Sequence, residues 1–135
     1  MFRFIRQIIC YALLIATLFS FPLFTIAQTD RPQDKVTLEK TIRFRRGAIS
    51  AVENGQIRRG ETYWYHVGAR QGQRMAVVLK TGNKTSFTIY GRESGILDGA
   101  DGVRQAVVKL PESGDFLIEI GTDAAADYTL EVAIK

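Results

Sequence analysis

The sequence predicts an all-β fold: an antiparallel β-sandwich of seven or eight short strands, preceded by a signal peptide helix. Three observations lead there. After Lys40 the apolar residues recur with period two and keep that period to the end of the chain. Glycine-rich breaks interrupt the pattern roughly every 8 to 12 residues, as in a sandwich. No stretch of the same region carries helical periodicity long enough to define a helix.

The elements follow in order. Arg3 and Arg6 are the only charges before Asp30, and an almost wholly apolar run follows them. Pro22 and the small residues Thr25 and Ala27 end that run, so residues 1–27 read as a secretory signal peptide cut after Ala27. An uncleaved anchor is the alternative, since residues 8–27 are about long enough to cross a bilayer core of roughly 30 Å. Cys10 has almost no apolar segment before it, which argues against lipid attachment. It is the chain's single cysteine, so the exported domain is expected to hold without disulfides. The expected location is the periplasm or the exterior.

Residues 28–40, "QTDRPQDKVTLEK", are polar, contain Pro32 and read as a tether. Residues 41–135 read as the sandwich. "TIRFRR" (41–46) sets Ile42 and Phe44 on one face and Arg43 and Arg45 on the other. In "AISAVENGQI" (48–57), Asn54-Gly55 reads as a turn or bulge. "ETYWYHVGA" (61–69) opposes Tyr63, Tyr65 and Val67 to Trp64 and His66. "RQGQ" (70–73) is a turn in which Gly72 supplies positive φ. "RMAVVLKT" (74–81) and "TSFTIYGR" (85–92) are strands separated by "GNK" (82–84), and "ESGILDGADG" (93–102) is a loop. "VRQAVVKL" (103–110), "DFLIEIGT" (115–122) and "YTLEVAIK" (128–135) complete the set.

Charge narrows the function. Residues 31–84 carry 12 basic and 4 acidic side chains; residues 85–135 carry 4 basic and 9 acidic. After loss of Arg3 and Arg6 the net charge falls from +4 to about +2. Opposed halves with little net charge do not describe a nucleic-acid binder. A membrane enters only through the signal segment, if it stays uncleaved. An acidic half allows a local surface that attracts a basic partner.

No constellation for catalysis is visible. His66 is the one histidine and lies in no H-x-H or H-x-x-E spacing, so no metal is expected at it. Ser113 has no strand–turn–helix context for a nucleophile. Asp98 and Asp101, with Glu93 nearby, are loop carboxylates whose spacing fits no calcium loop. The expectation is a protein without cofactor or enzymatic activity. If Tyr63 and Tyr65 face the core, Trp64 faces outward, where it stacks on a glycan or a protein partner or packs under a loop.

Three stretches resemble known families: Tyr65-x-Val67-x-Ala69-x-x-Gly72-Gln73, Leu110-Pro111-x-Ser113-Gly114-Asp115 and Tyr128-Thr129-Leu130. They look like parts of two related groups of exported bacterial β-sandwiches, over residues 41–135. One is the pre-peptidase C-terminal-like accessory module. The other is the group of periplasmic lysozyme inhibitors aimed at goose-type and invertebrate-type lysozymes. In the inhibitors a Ser-Gly-x-Tyr loop enters the lysozyme cleft, and its two hydroxyls reach toward the catalytic carboxyls. That resemblance implies a partner-binding loop here at Ser113, Gly114, Asp115 and Phe116, with Asp98 and Asp101 steering a basic enzyme; the alternative is that Phe116 points into the core and the turn is a corner of the sandwich. Phe116 lacks the tyrosine hydroxyl; a lost bond to a charged group costs about 1.5–3 kcal/mol, so inhibition is expected to be tenfold weaker or more. The implied partner is a lysozyme or another envelope protein. The module resemblance implies instead a cell-wall glycan bound through Trp64 and a basic face of Arg43, Arg45, Arg58 and Arg59, or a role in secretion and stability.

Overall fold

The computed structural model describes residues 35–82 and 84–135. The expected signal peptide at 1–27 and the first part of the expected tether lie outside them. Nine strands make two sheets: β1 (Lys35–Thr41), β2 (Ser50–Ile57), β3 (Glu61–Ala69), β4 (Arg74–Thr81), β5 (Thr85–Gly91), β6 (Gly95–Ile96), β7 (Gln105–Lys109), β8 (Gly114–Thr122) and β9 (Ala126–Ile134). The first sheet runs β1-β3-β8-β5-β6 and the second β2-β9-β4-β7. Among the described residues there is no helix, and the all-β sandwich expectation holds.

Two predicted strands match to the residue, β3 at 61–69 and β4 at 74–81. Their period-two burial is the reason. Tyr65, Val67, Met75, Val77 and Leu79 are buried, while the intervening residues are half-buried or exposed. The turn between them takes Gly72 to φ +86°. Phe87, Ile89, Ile118, Ile120, Leu130 and Val132 complete the centre of the core. Two buried hydroxyls inside it satisfy each other, Tyr65 and Tyr128 at 2.6 Å. Burial pushes both phenols above their ordinary pKa, so both stay neutral.

Three segments differ from expectation. Residues 35–41 form β1, so the tether ends before Lys35; this strand pairs parallel to β3, the one parallel pair of an otherwise antiparallel set. Its charged residues gave it a polar look. An edge strand tolerates them, and the Lys40 ammonium reaches inward to Glu53 at 2.5 Å. Residues 42–46 are not a strand but the start of a crossover between sheets, although Ile42 is buried and Phe44 packs against the core as their alternation requires. Asn54-Gly55 is mid-strand rather than a turn. Gly55 lies opposite Tyr128, and a Cβ there would meet the Tyr128 hydroxyl at 2.5 Å. That glycine makes room for an aromatic ring.

The 93–102 segment is more ordered than a plain loop. After β6 it folds along the edge of β5, where Leu97 N–H donates to the Ile89 carbonyl (2.9 Å) and Ile89 N–H donates to the Ala100 carbonyl (2.9 Å). Val103 and Phe87 exchange bonds of 2.8 and 3.0 Å. The β5 edge is thereby covered. The turns 70–73, 92–94 and 110–113 all gather at the end of the sandwich where β3 finishes and β8 begins.

Candidate functional site

At that end the turn before β8 meets the outer face of the first sheet. A groove of about 660 Å³ runs between them, lined by Ser113, Gly114 and Asp115 on one side and by His66, Tyr90, Arg92 and Leu117 on the other. Period two explains the far wall. Tyr65, Phe116 and Ile89 point inward, so their neighbours His66, Leu117 and Tyr90 point outward, and the register sets these three in one row across the sheet.

The turn is held from three directions. Gln71 N–H of the neighbouring turn donates to Ser113 Oγ at 2.8 Å. That bond uses a lone pair, and the serine hydroxyl proton remains available to a partner. Glu112 reaches the other way. Its carboxylate accepts from Glu93 N–H (3.1 and 3.2 Å), Ser94 N–H (3.3 Å) and Ser94 Oγ–H (2.9 Å). Partial desolvation works to raise this carboxyl, but the bonds from Glu93, Ser94 and Arg92 outweigh it and hold the group below the usual carboxylate range. Gly91 is buried against this latch, where any Cβ would collide with Ser94 Oγ and the Glu112 carboxylate. The third anchor is Phe116, which is 0% exposed and sits opposite Val67 in the core. Between the anchors Gly114 takes φ +141°, a conformation that favours glycine.

These observations correct part of the sequence reading. Ser113, Gly114 and Asp115 are exposed at the rim of the groove, but Phe116 faces inward and cannot touch a partner. The alternation of Phe116, Ile118 and Ile120 along β8 sets its ring on the core side. Nor do the acids converge on the turn. Asp101 accepts from Thr88 Oγ1 at 3.1 Å along the β5 edge, and Asp98 lines a second groove with Ile96, Val107 and Lys109. Asp123 and Asp127 lie at the opposite end, and Glu131 is on the outer face of the other sheet. Steering by one acidic half therefore loses its support, and Glu93, Glu112 and Asp115 are the acids at the groove.

Trp64 does lie on the outer face, half-buried, but its indole is engaged. Nε1–H donates to Glu119 at 2.9 Å, and the other oxygen of that carboxylate accepts from the Tyr90 hydroxyl at 3.4 Å. Burial, then the Glu119 charge, pushes the Tyr90 phenol up. His66 is likewise paired, with Glu39 at 2.9 Å. Arg43 and Arg45 sit in the crossover, while Arg58 and Arg59 turn at the opposite end of the sandwich, so the four do not form one basic face. Among the described residues no group of three or more His, Cys, Asp or Glu side chains is arranged to hold a metal. The residues missed in sequence are Glu112 and Tyr90. Their partners are 18 to 29 positions away, and no local pattern marks them.

The fold is shared with periplasmic lysozyme inhibitors. The Aeromonas hydrophila PliG, a periplasmic lysozyme inhibitor of g-type lysozyme, superposes with a TM-score of 0.62 at 24% identity, over 73% of this chain and 97% of that one. The Salmonella Typhimurium PliG gives 0.57 at 24% identity, over 72% and 97%. A mutant of the Escherichia coli PliG gives 0.59 at 20% identity, over 73% and 98%. At these identities the likeness is one of fold. No protein-family model matches the sequence, the pre-peptidase module included, and no curated protein is significantly similar to it.

Proposed function

We propose that the protein is an exported binding protein that inhibits a lysozyme of the g-type, using the turn at Ser113, Gly114 and Asp115 to occlude the enzyme's cleft. The observation that carries this reading is the turn itself: three exposed residues at a groove rim, two of them polar, held by Gln71, by the Glu112 latch and by the buried Phe116 ring. A turn fixed before encounter avoids the cost of ordering it on binding. The fold common to the three inhibitors supports the choice of partner. Ser113 would donate its hydroxyl proton to a catalytic carboxylate. Gly114 would let the two backbones approach, and Asp115 would meet cationic groups at the cleft mouth. Phe116 has no part in the contact beyond supporting the turn. Periplasmic location belongs to the same proposal.

The test is titration of the purified chain from residue 28 into g-type, invertebrate-type and chicken-type lysozyme assays. The expected result is stoichiometric inhibition of the g-type enzyme. Ser113→Ala should weaken it about tenfold, the loss of a hydrogen bond to a charged group, with thermal unfolding unchanged. Absence of inhibition of every class at tens of micromolar would sink the reading.

A further inference from the structure

The second sheet presents an incomplete edge at β2. β2 ends the second sheet and pairs with β9 alone. Ser50 lies opposite Ala133, and Ile134 N–H donates to the Ile49 carbonyl at 2.8 Å. In an antiparallel ladder that fixes the rest. The backbone groups of Ala51, Glu53 and Gly55 face β9, and those of Ser50, Val52, Asn54 and Gln56 face away from it. The Tyr63 hydroxyl donates to the Gln56 carbonyl at 2.6 Å, as this assignment requires, and closes the edge at one end. Among the described residues nothing pairs with the outward-facing groups of the stretch from Ser50 to Asn54, and the Val52 side chain is 55% exposed.

Beside that open stretch lies a groove of about 430 Å³ lined by Arg43, Arg45, Ser50, Ala51, Val52 and Glu53. Phe44 turns toward the core, which directs Arg43 and Arg45 to the other side. Among the described residues neither guanidinium has a hydrogen-bond or ion-pair partner. The one acid in the groove, Glu53, is taken by Lys40.

We infer that the open edge of β2 binds an extended acidic segment of a partner protein by strand addition, with Arg43 and Arg45 pairing to carboxylates two residues apart on it. The backbone of Ser50, Val52 and Asn54 supplies the ladder, the exposed Val52 supplies an apolar contact, and the unpaired guanidinia select the charge. The groove shares no lining residue with the one beside the Ser113 turn, so this inference stands independently of the inhibitor reading. The opposing explanation is that the arginines keep the edge from pairing with anything.

The probe is a short blocked peptide alternating glutamate with valine, and its counterpart with lysine for glutamate. Binding is followed by fluorescence anisotropy, and amide exchange by NMR. The glutamate peptide should bind, and exchange at the Val52 and Asn54 amides should slow on binding. The double variant Arg43→Gln/Arg45→Gln should weaken binding about tenfold. Val52→Pro removes an N–H that faces away from β9, so it should abolish binding with circular dichroism unchanged. The inference is overturned by any of three results: no binding at millimolar peptide, equal binding of the lysine peptide, or binding that leaves the Val52 and Asn54 amides unprotected. Lysozyme inhibition by the double arginine variant should match wild type whichever way the peptide experiment falls.

Discussion

Replacing Phe116 by tyrosine separates the two roles open to that ring. The resemblance to Ser-Gly-x-Tyr loops makes the substitution look like a gain of a binding hydroxyl. The structure makes it a loss. Phe116 is fully buried on the inner face of β8 with Ile118 and Ile120, facing Val67 across the central strand pair. The new oxygen would enter an apolar cluster in which the Tyr65 and Tyr128 hydroxyls already satisfy each other. An unpartnered buried hydroxyl costs about 1–3 kcal/mol. Overfilling a packed site adds about 1–3 kcal/mol. Phe116→Tyr should therefore cost about 2–6 kcal/mol out of a domain stability of about 5–15, and the variant melts lower by about 4–8 °C per kcal/mol. Urea unfolding reads the first number, and lysozyme titration at a temperature where the variant is folded reads the second effect, expected to be no gain in inhibition. An unchanged urea midpoint together with inhibition about tenfold tighter would place the ring outside the core and refute the inward assignment.

Two further outcomes test the core and the Glu112 latch. Tyr65→Phe and Tyr128→Phe should each cost about 1–3 kcal/mol by stranding the other's buried hydroxyl, whereas the double variant should cost clearly less than their sum; additive costs in a urea double-mutant cycle would show that the 2.6 Å contact carries no coupling. The folded Glu112 carboxyl titrates below its unfolded value, so its contribution to stability is present above about pH 4.3 and is lost as pH falls through the lower folded pKa. Thermal unfolding of wild type and Glu112→Gln should accordingly differ at neutral pH and converge on acidification. A gap that persists unchanged to pH 2 would mean that the charge of the latch contributes nothing.

The sandwich was legible because its signal is local. Tyr65, Val67, Met75, Val77 and Leu79 alternate with residues of the outer faces, and such alternation survives in any register. What failed were places where the decisive partner is distant in sequence. β1 looked like tether because its role depends on pairing with β3 and on Lys40 finding Glu53. Gly55 looked like a turn because its neighbour Asn54 is a turn residue, and only the Tyr128 ring opposite explains it. The same limit governed the site. Ser113, Gly114 and Asp115 announced a turn. Nothing near them announced Gln71 or the Glu112 bonds to the 93–94 turn that hold it in place.

That distinction bears on how the turn would act. A short polar turn by itself is common and binds nothing in particular. Here the Ser113 oxygen is oriented by an accepted bond, the peptide beyond it takes a conformation that favours glycine, and the residue after Asp115 is fixed in the core. Each constraint removes freedom that a partner would otherwise have to remove on binding, and each ordered side chain saves on the order of 0.5–1.5 kcal/mol. Absence of the tyrosine hydroxyl of the Ser-Gly-x-Tyr pattern is therefore set against a turn whose remaining donor is already aimed. Gly91→Ala would wedge the latch apart without touching any exposed residue of the turn. Inhibition that falls in that variant, while the sandwich still unfolds cooperatively, would show that rigidity of the turn, and not only its chemistry, makes the contact.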